Sequence, residues 1–360
     1  MKRRKTIMLL VTYGCNLRCT YCYEPKTAHK QMTAENAKMY IASQIELLGE
    51  LYDEFEVQFM GGEPLMVFPV IKEVSEWLWK QNFNVPLVQI FIPTNGTLLN
   101  DEMKAWFEQN KKKVCLGLSF DGNRLMQNIN RSNSFAKVDL DFFLHTWPQQ
   151  SVKMTVSPDT IDSLYEGVMF LYQHGLHYVT VDLAMGKRIE WTSHHLGIFA
   201  EQLQMLVDYY LCNPKHPRIS LLDVEVFLSL NENSASKKCG CGEHLVCVDC
   251  DGTTYACHLF APITASQKQA AASRSIDFFR HEDFISMQCR ECSLQPLCTQ
   301  CYGMNYLCTG DVAQQLPFTC ETTKIQFLMV CNLQLQLAQK DGDLSKVQLI
   351  EDIVSQIQKC

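Results

Sequence analysis

The feature that most restricts the fold is a sixfold alternation of strand-like runs with helical stretches. The runs are Thr6–Thr12, Phe55–Met60, Val88–Ile92, Val114–Ser119, Val152–Val156 and Tyr178–Leu183. Thr33 can cap a helix with Glu35 in its first turn and Tyr40, Ile41, Ile45 and Leu48 on its apolar face. Asn100 and Asp101 begin another helix. One after Asp159 runs to a stop at His174-Gly175, and a further one spans about His194 to Leu211. Such alternation gives a parallel sheet with right-handed crossovers. The expected fold is α/β, a partial (β/α)6 TIM-like barrel whose working residues gather at the carboxyl ends of the strands.

The unusual residues do stand there. Gly14-Cys15 follows the first run, Gly61-Gly62-Glu63-Pro64 the second, Thr94-Asn95-Gly96 the third and Asp121-Gly122 the fourth. Asn213-Pro214 and His216-Pro217 then break the pattern. A cysteine-rich stretch extends from Cys239 to Cys320, and helical character returns from about Thr322 to Cys360. The expected divisions are a barrel at 1–215, a cysteine-rich domain at 216–330 and a helical tail at 331–360.

Eighteen cysteines need an explanation. A disulfide framework belongs to short secreted chains. This chain has 360 residues and carries its cysteines in tight clusters. Behind Met1-Lys2-Arg3-Arg4-Lys5 the apolar stretch is only Ile7 to Val11, short of the ~7–15 residues of a signal core. Metal or iron–sulfur ligation in a cytoplasmic protein is the better reading. No apolar run approaches the ~20 residues of a membrane helix. A net charge of −7 argues against nucleic-acid and anionic-membrane partners. Cys115 falls in a strand pattern and reads as a buried small side chain. Cys212, Cys308, Cys331 and Cys360 receive no ligand role.

Cys15-Asn16-Leu17-Arg18-Cys19-Thr20-Tyr21-Cys22 places three thiols in one loop. Three sulfurs on a four-iron cluster leave one iron open to a substrate. The competing assignment is a zinc site completed from elsewhere. Spacing, the aromatic before the last cysteine and the position after the first strand together resemble the radical S-adenosylmethionine (SAM) signature. That resemblance implies a [4Fe-4S] cluster on Cys15, Cys19 and Cys22. The cluster would bind SAM and cleave it to a 5′-deoxyadenosyl radical. Tyr21 would then lie near cluster and adenine. Gly61, Gly62, Glu63 and Pro64 resemble the motif that meets the amino end of SAM. Thr94 and Asn95 belong to the same rim. Ser119, with Asp121 and Arg131 nearby, resembles the fourth-strand segment. Ser119 is a contact to SAM ribose or carboxylate in that reading, while Asp121 and Arg131 can instead hold their loop.

The later cysteines, Cys239, Cys257, Cys289, Cys292, Cys298, Cys301 and Cys320, resemble a SPASM domain with two auxiliary [4Fe-4S] clusters. By that resemblance Cys239, Cys257 and Cys301 serve the first, and Cys289, Cys292, Cys298 and Cys320 the second. Cys241, Cys247, Cys250 or an open position remain for the fourth ligand of the first. Two residues separate Cys298 from Cys301, where the family usually has three. Asp251-Gly252 suits the turn of a small hairpin. Paired CxxC elements alone would also suit zinc.

SPASM-type enzymes act on peptides and proteins. Sulfatase maturases carry an aspartate base after the cysteine equivalent to Cys257, where this chain has His258. The expectation is therefore a maturase of a ribosomally made peptide, forming a thioether or carbon–carbon crosslink, with His258 as a candidate proton acceptor. A formylglycine-forming enzyme and a multi-cluster electron-transfer protein are the alternatives. The latter needs no SAM pocket. Expected partners are a peptide or protein substrate and a reductant such as flavodoxin or ferredoxin. The first strand begins almost at once, so leader recognition, if needed, is expected from a separate leader-binding protein or from this chain's own surface, where the helical tail after Thr322 could contribute.

Overall fold

The computed structural model describes residues 2–26, 29–49, 51–225 and 239–357. In chain order the strands are β1 (Arg4–Thr12), β2 (Glu54–Gly61), β3 (Leu87–Thr94), β4 (Val114–Leu118), β5 (Val152–Val156), β6 (Val179–Leu183), β7 (Leu245–Val248) and β8 (Thr254–Tyr255). The α-helices through the alternating region are α1 (Ala34–Glu46), α2 (Phe68–Leu78), α3 (Asp101–Asn110), α4 (Arg124–Asn130), α5 (Leu140–Thr146), α6 (Leu164–Gln173) and α7 (Ser193–Cys212). Later come α8 (Gln267–Ser273), α9 (Tyr302–Thr309), α10 (Pro317–Asp341) and α11 (Leu344–Ile357).

All six expected strands form within one or two residues of the runs read above. Caps act as their side chains dictate. Thr33 accepts from the Asn36 N–H and Asn100 from the Met103 N–H, so each satisfies an orphan donor of α1 or α3. Hydrogen bonding divides the eight strands six and two: one sheet has the order β4-β3-β2-β1-β7-β8, and β5 pairs with β6 alone. Neighbours from β4 to β7 are parallel, and β7-β8 is an antiparallel hairpin around Asp251-Gly252. β1 lies between β2 and β7, and its residues from Ile7 to Thr12 are buried on both faces. A central parallel strand needs that unbroken burial.

The fold separates into two compact units, neither a continuous stretch. One comprises 1–120, 131–150 and 240–279; the other 121–130, 151–239 and 280–360. This division falls elsewhere than at 215/216 and 330/331. The hairpin expected to carry ligands in a separate domain instead extends the main sheet, with Thr6–Leu9 of β1 in register with Leu245–Val248 of β7. A four-residue strand far along the chain gives no periodic signal of that pairing.

In the first unit the Tyr13 hydroxyl donates to the carboxylate of Asp249, with oxygens at 2.7 and 2.8 Å, just after β1 and β7 end. Asp249 is fully buried, and Lys30 Nζ reaches it at 3.5 Å. Burial, then the Asp249 carboxylate, pushes the Tyr13 phenol well above its ordinary range. Cys115 lies on β4, where burial pushes its thiol up to about 12. In the second unit α7 packs along α10, burying Phe199, Leu203 and Leu206 of α7 with Phe327, Val330 and Cys331 of α10. Among the described residues no helix is long and apolar enough to cross a membrane. Cys360 lies outside them.

Candidate active site

The loop from Gly14 to Lys26 leaves the carboxyl end of β1 and is gripped along its length by the rest of the first unit. Its root is set by two glycines. Gly61 has φ +147°, and an ideal Cβ there would stand 2.0 Å from the Thr12 carbonyl oxygen. On Gly62 a Cβ would stand 2.2 Å from the Gly14 carbonyl oxygen. No side chain fits either gap. Through that approach the Gly62 N–H donates to Thr12 O at 3.0 Å and the Glu63 N–H to Gly14 O at 2.8 Å. The backbone these glycines admit is thus the cysteine loop's own.

Glu63 is buried, and its carboxylate accepts from Thr94 Oγ1 (2.7 Å), the Asn95 N–H (2.8 Å) and the Leu65 N–H (3.1 Å). Burial raises its pKa, against those three bonds and nearby Arg131, which favour the charge. Through these bonds Glu63 ties the ends of β2 and β3 together. Pro64 opens the short turn behind it. Asn95 passes the restraint onward: its amide donates to Asn16 Oδ1 at 2.9 Å, and the Asn16 amide donates to Thr97 Oγ1 at 2.7 Å.

The far side of the loop is held by the segment after α4. The Arg18 N–H donates to Ser132 Oγ at 2.8 Å, and the Arg131 guanidinium lies 5.4 Å above the Tyr21 ring. Ser132 and Asn133 have φ of 55° and 53°. Two successive non-glycine residues there are strained, as functional sites often are. Ser119 is partly buried, and its N–H closes onto Thr94 O at 2.9 Å. Asp121 belongs to the second unit, where its carboxylate accepts from the Thr155 N–H at 2.9 Å. That bond ties it to β5.

The three thiols are each partly buried, and all three lie near the Lys26 ammonium. A Cys22 N–H to Cys19 O bond of 3.1 Å closes the turn, and the Leu17 N–H donates to Cys15 Sγ at 3.4 Å. Lys26 donates to the Leu17 carbonyl, and the sulfurs of Cys22, Cys15 and Cys19 raise its pKa against the effect of burial. Burial raises the thiols of Cys15 and Cys22 and pushes Glu24 up to about 7. Three soft sulfurs beside a cation suit an anionic iron–sulfur cluster, whose iron would deprotonate them. Among the described residues no three Cys, His, Asp or Glu side chains close on a single-ion position. A cluster requires no such closure, because each sulfur binds a different iron.

Tyr23 follows the last of these cysteines. Its hydroxyl is 3.0 Å from His258 Nε2, with the rings 5.6 Å apart. His258, read from the sequence only by its place after Cys257, therefore sits against the cysteine loop. In the same unit Cys247 of β7 is buried, and its thiol is raised well above normal by burial and then by Cys257. Cys250 donates instead to Leu10 O at 3.0 Å. In the second unit Cys301 precedes α9, and burial, with Cys239 among the neighbouring charges, pushes it up to about 11. Cys298 is also raised to about 11, chiefly by burial, with Cys289 and Cys320 close by. Sequence reading passed over Asn16, Tyr23, Glu24, Lys26 and Ser132. The one signal for them was position, inside or beside the cysteine run and Arg131.

A parallel sheet with three clustered thiols at the end of its central strand defines an α/β enzyme built around a cysteine-ligated metal cluster. Residues 9–139 match the family model for the radical SAM superfamily. An uncharacterised protein of Methanocaldococcus jannaschii is 28% identical over 192 residues, covering 52% of this chain and 65% of its own. A cysteine-type anaerobic sulfatase-maturating enzyme of Clostridium perfringens is 30% identical over 140 residues, 35% of this chain and 36% of that one. The chain thus spans less than two thirds of either relative. A serine-type enzyme of Klebsiella aerogenes is 22% identical over 339 residues, 82% of this chain and 80% of its own. Among solved structures, native anSMEcpe with bound AdoMet and Cp18Cys peptide has TM-score 0.71 at 19% identity, covering 94% of this chain and 99% of that one. Streptococcus suis SuiB bound to precursor peptide SuiA has TM-score 0.57 at 13% identity, covering 89% and 76%. Residues 9–139 thus form a radical SAM region, the part of the chain that holds all three clustered thiols. The cofactors of that superfamily are a [4Fe-4S] cluster and SAM, and Cys15, Cys19 and Cys22 are the donor set that fits the cluster.

Proposed function

We propose that the chain is a peptide maturase, abstracting hydrogen from a peptide side chain and closing a thioether or carbon–carbon crosslink. The observation that carries this reading is the contact of His258 with Tyr23, beside the cysteine loop. When bound, cluster and SAM would supply a 5′-deoxyadenosyl radical to take one hydrogen atom, and an auxiliary cluster would accept the electron left when the second hydrogen departs as a proton. The chain's own residues do the rest. Gly61 and Gly62 fix the root of the loop, and Glu63, Asn95 and Asn16 hold its rim. Arg131 covers Tyr21. His258 Nε2 and the Tyr23 hydroxyl can hold or pass one proton between them, since a neutral imidazole near neutral pH accepts as readily as it donates.

Cys239, Cys257 and Cys301 would serve one auxiliary cluster, with Cys241, Cys247, Cys250 or an open position completing it. Cys289, Cys292, Cys298 and Cys320 would serve a second. An external one-electron donor such as flavodoxin or ferredoxin would complete the system. The relatives named as sulfatase-maturating enzymes favour a second reading, formylglycine formation. The residue after Cys257 separates the two, because histidine is not the carboxylate base expected there. Reduced enzyme, SAM and a precursor peptide encoded beside the gene are incubated and the peptide is mass-analysed. The expected product is two hydrogens lighter, with fragmentation suppressed inside one segment. An aldehyde formed from a sulfatase-motif cysteine, with no change in the precursor, would reject the crosslink.

A further inference from the structure

In the second unit, three polar side chains stand close to cysteine sulfurs, and two of them bring a hydrogen to bear on one. Ser286 Oγ donates to Cys289 Sγ at 3.1 Å. Gln315 Nε2 lies 3.5 Å from Cys289 Sγ and 3.8 Å from Cys298 Sγ. An amide nitrogen carries two protons, so one side chain can donate to both sulfurs at once. Thr323 Oγ1 is 3.9 Å from Cys298 Sγ, but its own hydrogen goes to Thr319 O at 2.7 Å. Of these two polar neighbours, Gln315 is the one with a proton to give Cys298. Cys298 is buried, and a hydrogen bond to a charged sulfur strengthens where water is excluded.

We propose that Gln315 is a positioning residue for the second auxiliary cluster, donating to two of its ligand sulfurs and raising its reduction potential. This rests on the reading of Cys289, Cys292, Cys298 and Cys320 as that cluster's ligands. The sign follows from charge. Reduction adds one electron, supplied by an external donor, and increases the negative charge on the ligand sulfurs. A donor aimed at those sulfurs stabilises the reduced form more than the oxidised form, so the potential rises. Because Cys289 and Cys298 come from different segments, the amide also fixes their separation.

The test uses the full chain with Cys15, Cys19 and Cys22 replaced by alanine, so that any remaining cluster signal is auxiliary. Iron and sulfide are counted first, and the reduced clusters are then titrated by electron paramagnetic resonance. Gln315→Met, similar in volume but without a donor, is expected to keep its iron and lower one of the two midpoint potentials. A tenfold loss of preference for the reduced form corresponds to about 59 mV for a one-electron couple. Gln315→Glu, which turns an acceptor toward the sulfurs, should lower the same potential further. Full iron with both potentials unchanged overturns the role of Gln315 and leaves the cluster reading standing. Absence of iron from the triple-alanine parent overturns the cluster reading and this inference with it. Loss of one cluster's iron in both Gln315 variants rejects tuning in favour of a purely structural role.

Discussion

Gly62→Ala tests whether the cysteine loop is positioned by backbone contact. A Cβ on Gly62 would meet the Gly14 carbonyl oxygen at 2.2 Å, where ordinary contact begins at 3.4 Å, so the two segments must part by about 1.2 Å. That stretches the 2.8 Å bond from the Glu63 N–H to Gly14 O to about 4 Å, beyond hydrogen-bonding range. The neighbouring bond from the Gly62 N–H to Thr12 O weakens with it. Two backbone hydrogen bonds at ~0.5–1.5 kcal/mol each and a forced fit at ~1–3 kcal/mol give a loss of about 4 kcal/mol. At ~2–4 °C per kcal/mol the melting temperature should fall by about 8 °C or more. Gly14 also precedes Cys15, so the SAM-binding cluster should suffer before the rest of the fold. Differential scanning fluorimetry of the anaerobic apo-protein reads the first effect, and the SAM-induced change in the reduced cluster's spectrum reads the second. An unshifted melt with a normal SAM response would refute the claim that this approach sets the loop.

Glu63→Ala removes the common acceptor of Thr94, Asn95 and Leu65 and should destabilise by about 3 kcal/mol or more. Glu63→Gln, which keeps one acceptor oxygen, should cost less; the two are compared by thermal melts of apo-protein. Replacing Cys15, Cys19 and Cys22 together by alanine should abolish 5′-deoxyadenosine production while leaving auxiliary iron in place, as read by chromatography and iron analysis.

The strands and main helices were legible because each carries its own local signal. Period, cap residues and stop residues such as Thr33, Asn100 and His174-Gly175 all lie within a few positions of the element they define. The three-thiol loop was legible for the same reason, its chemistry being contained in eight consecutive residues. What hid from the sequence was pairing at long range. Thr94 and Asn95 reach the Glu63 carboxylate from the neighbouring strand, and no local pattern announces those bonds. Gly61 and Gly62 signal a close approach without saying to what. Tyr23 and His258 stand 235 positions apart, and no local pattern links them. Asp121 accepts from the Thr155 N–H of β5, 34 positions further along the chain, which its place after Ser119 does not announce.

The long-range pairing of β1 with β7 also limits where the chain can be cut. A break at residue 215, the boundary that composition implies, would remove β7 from the open flank of β1. Thr6 to Leu9 would lose their ladder partners Leu245 to Val248. Tyr13 would lose the Asp249 carboxylate that both its hydrogen bonds reach, and Tyr23 would lose His258. An edge made of Ile7, Leu9 and their buried neighbours is a template for association, since unpaired strand groups recruit other strands. Residues 1–215 expressed alone should therefore aggregate or melt at much lower temperature than the full chain, and should reconstitute the Cys15, Cys19 and Cys22 cluster poorly. Size-exclusion chromatography and iron analysis of the fragment check both. A monomeric fragment that binds one four-iron cluster and cleaves SAM at the full chain's rate would show that the late hairpin is an accessory to the site rather than part of the sheet that builds it.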